Sequence, residues 1–415
     1  MSETETQDAV LPDAYRTITA SLAKDRLPAL DILRGLAMVL MALDHSRDFF
    51  SNSAAVFDPT DLSRTTPLLF LTRWITHFCA PVFIFLAGTG AYLWQEHGRE
   101  TCELAKYLAT RGLWLILLEI FVISPLGWSF SFSFGFTRLQ VIWVIGVSMI
   151  LLAAFVMMWP PRVIGGAGLL LIVLHNLFDG PHAAWLRDGE DAWRALHQPT
   201  FFHLSAHHVI ASLYPVAPWV GVMMAGYAAG EFMTWPATRR RKILLSLGAA
   251  GVFLFVVLRY LNFYGDPSRW SHQGTLVFTV MSFLNCTKYP PSLLYLLMTL
   301  GPGLVLLAIL DRTRATWWDP METFGRVPMF YYLVHLPLLH GAAVLFSFVK
   351  YHGATWLHQD LMALSGSELR LPPGYGYGLS VVYAVWIGSL VLLYPLCRWF
   401  AGVKRRRREW IFRYF

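Results

Sequence analysis

Long apolar runs separated by short polar stretches recur from about residue 30 to about residue 400. Each is close to the roughly 20 residues that an α-helix needs to cross a bilayer core. Spans are expected near 30–50, 67–94, 105–124, 139–159, 163–178, 207–230, 243–262, 290–310, 327–349 and 375–401, the fifth being the shortest. The pattern predicts an all-α fold: a polytopic membrane helix bundle of about ten transmembrane helices.

Charge orients the bundle. With the N-terminus in the cytoplasm, most basic residues fall on cytoplasmic segments, including the clusters Arg239-Arg240-Arg241-Lys242 and Lys404 through Arg408. This is the asymmetry that the positive-inside rule requires. An even number of spans puts both termini in the cytoplasm, whereas an odd number would export one cluster. The net charge of +7 therefore reads as topology and contact with anionic headgroups, and it argues against nucleic-acid binding.

Composition agrees. The chain is 56% hydrophobic and 14% charged, against about 25% charged residues in a soluble domain. Residues 1–25 form an acidic, polar cytoplasmic tail without the apolar core of a cleavable signal peptide. Residues 26–402 form the transmembrane domain and residues 403–415 a basic cytoplasmic tail. Cys79, Cys102, Cys286 and Cys397 are scattered, so neither a disulfide framework nor a metal site is expected. No P-loop, nucleophile elbow or HExxH motif occurs.

Candidate chemistry concentrates in the first span. At 100° per residue, Asp31, Arg34, His45 and Asp48 share about one third of the helix circumference. Ionisable groups inside membrane helices usually face a bundle interior or a wet cavity, so this helix is expected to line one. His45 is a candidate general base, with Asp44 or Asp48 as the carboxylate that orients it. The alternative is a solvated helix end in which Asp44, His45, Arg47 and Asp48 form local ion pairs. Arg73 and His77 stand at i, i+4 in the second span, and a buried Arg there needs a carboxylate or an anionic ligand. Glu119 and His335 lie mid-span in the third and ninth helices. Lys288 precedes the eighth span. Each of these three suits either a substrate or ion-pair network or a satisfied structural position. In Ala87-Gly88-Thr89-Gly90 the glycines are read as close-packing sites.

The stretch Arg26-Leu-Pro-Ala-Leu-Asp-Ile-Leu-Arg-Gly-Leu-Ala-Met-Val-Leu-Met-Ala-Leu-Asp-His45 resembles the opening span of the heparan-alpha-glucosaminide N-acetyltransferase catalytic-domain family. So does Thr72-Arg-Trp-Ile-Thr-His-Phe-Cys-Ala-Pro-Val-Phe-Ile-Phe-Leu-Ala-Gly88. The likeness is strongest to a bacterial branch of the family. Further segments agree with it, among them Pro218-Trp-Val-Gly221, Lys288-Tyr-Pro-Pro-Ser-Leu-Leu294 and Phe324-Gly-Arg-Val-Pro328, so the resemblance runs from about 26 to about 400.

The resemblance implies a multi-pass acyltransferase of a bacterial inner membrane. It would take acetyl-CoA or another acyl-CoA from the cytoplasm and pass the acyl group to a sugar or cell-envelope glycan on the outer side, with no metal. Membrane lipid surrounds it, and a homodimer is one open option for its assembly. Arg34 matches the Arg of the opening motif, and His45 the His that ends that span in related bacterial acyltransferases. Arg34 and Arg111 are the expected donor-binding residues, with Arg239 and Arg326 adding to a basic rim. One departure is clear: the reactive loop His of the lysosomal members, in its Trp-Asn-Gly setting, has no counterpart in residues 51–66. Direct transfer with His45 as base is therefore expected rather than an acetyl-histidine. The competing reading is a transporter or flippase for a small or lipid-linked solute, with repeated halves and unwound helices.

Overall fold

A computed structural model describes residues 27–54, 56–179, 196–205, 207–312, 316–358, 371–407 and 409. Its helices are α1 (Pro28–Phe50), α2 (Pro67–Thr76), α3 (Cys79–Glu96), α4 (Thr101–Leu118), α5 (Val141–Met158), α6 (Pro161–Leu174), α7 (Val216–Met233), α8 (Ala237–Leu261), α9 (Leu276–Leu284), α10 (Leu293–Leu310), α11 (Asp319–Arg326), α12 (Pro328–Tyr351) and α13 (Leu379–Arg406). The polar N-terminal tail and most of the basic C-terminal tail lie outside the described residues.

Among the described residues, eight helical stretches are long and apolar enough to cross a membrane. The chain is therefore a polytopic, mostly helical membrane protein. Each of the ten expected spans contains helix, although the one expected over 207–230 is helical only from Val216, and α1 and α7 are the two that fall outside the eight. In α1, Asp31, Arg34, Asp44, Arg47 and Asp48 lower the hydropathy. In α7, Pro218, Gly221, Gly226 and Glu231 dilute it. Both are enclosed by other helices. α1 is flanked by α2, α3, α10, α11, α12 and α13, and α7 by α3, α5 and α6. A helix screened from lipid can carry polar groups that face the bundle.

Small residues set the closest approaches. A Cβ on Gly88 would sit 2.1 Å from the Met223 carbonyl oxygen, and one on Gly226 2.1 Å from that of Phe85. Only glycine at both positions lets α3 and α7 meet backbone to backbone, as expected for the Gly88 stretch. Gly35 and Gly325 do the same for α1 and α11, where an added Cβ would come within 1.8 Å of a carbonyl oxygen.

The second apolar run is interrupted at His77 and Phe78, between α2 and α3. Pro81 has no N–H to give the His77 carbonyl. The Tyr295 hydroxyl donates to that oxygen instead, at 2.7 Å. The third run also departs from a regular α-helix. From Glu119 it widens into a π-helical stretch that ends at Ser129 and contains Pro125, as helices do where an extra residue or a proline disturbs the i→i−4 ladder.

The all-α expectation needs one correction. Three short strands, β1 (Phe136–Leu139), β2 (Thr200–Ser205) and β3 (His208–Ser212), form a sheet in the order β1-β3-β2. β1 runs parallel to β3, and β2 antiparallel to it. β1 and β2 lie almost wholly in segments read as loops, whereas β3 occupies the first residues of the span expected over 207–230, where helix begins only at Val216. The strands carry β-branched and aromatic residues that suit pairing. The sheet places Arg138 at the end of β1, Pro199 before β2, and Leu213 and Tyr214 after β3 on one side of the bundle interior.

Candidate functional site

α1 separates two cavities. The larger, about 520 Å³, surrounds its C-terminal third and is lined by Asp44, His45, Arg47, Asp48, Arg73, Arg138, Tyr214, Lys288 and Tyr289, among others. The smaller, about 290 Å³, lies near the other end of α1, with Arg34, Arg111, Arg326 and Lys404 set among apolar walls that include Met38, Leu86, Ile145 and Met149. Phe83 and Val141 line both cavities. The two therefore adjoin at an apolar waist along α1, on which Arg34 and His45 are roughly 16 Å apart by helix rise.

His45 is 7% exposed and its partner is His335, which is fully buried. His45 Nδ1 lies 2.8 Å from His335 Nε2. The His335 ring leans back along α12, as long side chains in helices do. Its Nδ1 lies 3.0 Å from the Tyr331 carbonyl oxygen and 2.9 Å from that of Tyr332. Carbonyl oxygens only accept, so the His335 proton sits on Nδ1 and its Nε2 presents a lone pair. His45 must then donate through Nδ1, which leaves its Nε2 unprotonated. The backbone of α12 thus fixes two tautomers in series, and the free lone pair belongs to the ring that lines the larger cavity. Trp128 meets the His45 ring edge to face, with ring centres 5.2 Å apart.

The expectation that Asp44 or Asp48 orients His45 is corrected by these contacts, because neither carboxylate hydrogen-bonds to the ring. Arg73 Nη1 donates to both Asp44 oxygens at 2.8 Å, and Thr76 Oγ1 donates to Asp44 Oδ1 at 2.7 Å. Arg47 Nη1 stands 2.7 Å from the same oxygen, an ion-pair contact without hydrogen-bond alignment. Arg47 Nη2 reaches Asp48 Oδ1 at 2.5 Å. Two arginines in a largely enclosed site demand anions, and the two aspartates meet that demand.

The remaining expected residues divide. Lys288 is 9% exposed on the cavity wall and has no ion-pair partner among the described residues. Burial opposes ionisation of the neighbouring Tyr289 hydroxyl, but Lys288, Arg73 and a hydrogen bond from Tyr214 draw it below the ordinary phenol range. Burial, together with Tyr289, pushes the Tyr214 hydroxyl up. His77 is buried at the helix break, and Glu119 is fully buried; neither is among the lining residues of these two cavities. Glu119 instead accepts the Trp143 N–H at 3.1 Å. Trp143 is the third residue of α5, so Glu119 serves a backbone donor that has no partner within its own helix.

In the smaller cavity Arg34 also ties α1 to α11, with Nη1 3.0 Å from Asp31 Oδ1 and 3.0 Å from the Gly325 carbonyl. Arg111 donates to the Tyr107 hydroxyl at 2.6 Å. Arg239 is elsewhere, its guanidinium 3.8 Å above the Trp235 ring. Sequence reasoning missed Lys404, Arg138, Trp128, Tyr214 and Tyr289 as cavity residues. For Lys404 the signal was its place in the basic cluster after the last span. For the others the positions are set by the sheet and by packing between distant helices.

Two cavities thus lie along one central helix, one with His45 on its wall and the other lined by Arg34, Arg111, Arg326 and Lys404. The profile of the family described as heparan-alpha-glucosaminide N-acetyltransferase, catalytic, matches residues 26–264, more than half of the chain. The chain belongs to that family, a membrane acetyltransferase family that uses acetyl-CoA. No curated protein matches the chain. The family match is shorter than the resemblance suggested, since it ends within the segment after α8. Asp44, His45, Arg73, Arg34 and Arg111 lie inside it, whereas Lys288, Arg326, His335 and Lys404 lie beyond it.

Proposed function

We propose that this chain transfers an acyl group from acyl-CoA, bound in the cation-rich cavity, to a sugar or glycan acceptor in the larger one, with His45 as general base. The observation that carries the reading is that the two cavities adjoin along α1. One holds four cationic side chains and no lining carboxylate, and the other holds an imidazole with a free lone pair. The donor cavity suits its ligand: cations for phosphates at the mouth, and apolar walls around an extended arm toward Phe83 and Val141. Gly90 lines this cavity with open space where a side chain would stand.

In the transfer, His45 Nε2 takes the proton from the acceptor hydroxyl or amine as that heteroatom bonds to the acyl carbon. The bond from acyl carbon to sulfur breaks, and the departing thiolate takes up a proton. His335 is a positioning residue: it accepts from His45 Nδ1–H and favours the tautomer that leaves Nε2 basic. Lys288 and Tyr289 are placed to meet the acceptor. Ten spans with both termini cytoplasmic fit this reading, because α1 and α7 run among the membrane helices although their own polarity keeps them from the apolar set. A bacterial inner membrane and a cell-envelope acceptor complete the proposal.

The test is acetyl-CoA binding by calorimetry to the purified chain in detergent, comparing wild type with Arg111→Ala and His45→Ala. Arg111 is a cleaner probe than Arg34, which also holds α1 to α11. Binding weakened by Arg111→Ala and unchanged by His45→Ala is expected. Wild-type protein that binds no acyl-CoA but carries a sugar or lipid-linked sugar across vesicles would overturn the reading in favour of transport, for which the interrupted α2–α3 helix offers the structural argument.

A further inference from the structure

We propose that His175, Asp179 and His197 form a binding site for a divalent transition metal, zinc by its donor set. The site lies apart from both cavities, beyond the end of α6. Donor atoms of the three residues all fall within 4.8 Å of one another, so small rotations would bring them onto one ion at the roughly 2.0–2.2 Å bond lengths of zinc with imidazole and carboxylate. Two imidazoles and one carboxylate form a set that suits zinc and leaves a coordination position for water.

The second observation is His175 itself. It is 2% exposed, and neither ring nitrogen has a hydrogen-bond partner. The Pro291 carbonyl faces the ring without reaching hydrogen-bond geometry. A neutral imidazole carries one donor and one acceptor, and buried polar groups are normally satisfied. An ion would employ the lone pair that is idle here.

The surroundings are organised as an outer shell. Asn176 Nδ2 donates to Asp179 Oδ2 at 2.5 Å, leaving Oδ1 directed at the histidines, 2.8 Å from His197 Nε2 in a ligand-to-ligand contact that a shared ion would replace. Such outer hydrogen bonds orient metal ligands. Asn176 Oδ1 also accepts the N–H of Leu293, the first residue of α10, at 2.8 Å. His197 stands two residues before Pro199, which lines the larger cavity. A bound ion would therefore clamp the end of α6, the start of α10 and the strand that leads into the cavity wall. The expectation of no metal rested on cysteine spacing and motif searches, which do not detect ligands at 175, 179 and 197.

The experiment uses the full chain in detergent with any affinity tag removed. It is stripped with a chelator and titrated with zinc chloride by calorimetry, with zinc per chain counted by mass spectrometry. One zinc per chain with Kd below about 1 µM is expected. His175→Ala breaks no hydrogen bond of its own, so it tests ligation without removing a structural contact. It should weaken zinc binding at least about tenfold, as should His197→Gln, since even loss of an outer-shell partner costs about 10–100-fold. No saturable zinc uptake by the wild type, or uptake unchanged by His175→Ala, would overturn the site.

Discussion

Charge is arranged differently in the two cavities that share α1. Around the larger one, Asp44, Asp48 and Asp58 face Arg47, Arg73, Arg138 and Lys288, and the shortest contacts are between protein groups: Asp44 with Arg73 and Arg47, and Asp48 with Arg47. The smaller cavity is lined by Arg34, Arg111, Arg326 and Lys404 without a carboxylate among its lining residues. The first arrangement spends its charges on holding the site together. The second presents cations toward an apolar hollow, an environment that favours a ligand bringing its own anions. Arg34 and Arg326 are paired too, with Asp31 and Glu322, but those carboxylates stand outside the lining; the contrast is in which sign of charge faces the hollow.

That contrast can be broken at several points. The largest effect is expected at His45, whose Nε2 lone pair faces the larger cavity. His45→Ala should reduce transfer by about 10²–10⁴-fold, the usual share of a general base, with acetyl-CoA affinity within about twofold of wild type; initial rates and calorimetry together check this. Next is Asp44→Asn, which leaves Arg73 and Arg47 without their shared anion. Removing one partner of a buried pair costs about 3–5 kcal/mol, so a marked drop in melting temperature is expected, read by thermal denaturation in detergent. A melting curve like that of the wild type would mean that this cavity is far wetter than its geometry implies.

His335 tests the relay. His335→Leu leaves His45 Nδ1–H without an acceptor, a loss of about 1–3 kcal/mol. The expected result is a roughly 10–100-fold lower kcat with KM for acetyl-CoA little changed. His335→Gln keeps a carbonyl acceptor and should recover part of that loss, which a purely packing role would not reproduce. Arg111→Ala should raise Kd for acetyl-CoA about tenfold or more, as loss of a charged hydrogen bond does, and should flatten its dependence on salt. The smallest effect belongs to Arg239→Ala. That residue lies on Trp235 outside either cavity, and binding should stay within about twofold of wild type.

How much of this was legible in the sequence depends on distance along the chain. The spans were readable because each is a local run of apolar residues, and the polar stripe of α1 because helical periodicity fixes which residues share a face. The interruption at His77 had a local signal in Pro81, whose missing N–H leaves the His77 carbonyl to Tyr295. The pairing of His45 with His335, 290 residues apart, had none, because one chain does not state which helices touch. For the same reason Asp44 could be named as a candidate orienting carboxylate, when its actual partners are arginines. The small sheet escaped notice because its strands are short, β3 was read as the start of the span expected over 207–230, and β1 lies far along the chain from its partner β3.

Phe83 and Val141 wall both cavities, and this sets a limit on how the protein can evolve. If the two hollows open to opposite sides of the membrane, these two apolar side chains belong to the barrier between them. Under the proposed transfer, a smaller residue at either position would widen the way between the two cavities and at the same time thin the barrier between them. On that reading, choice of cargo and tightness of the barrier fall to the same two residues, and selection on one is selection on the other.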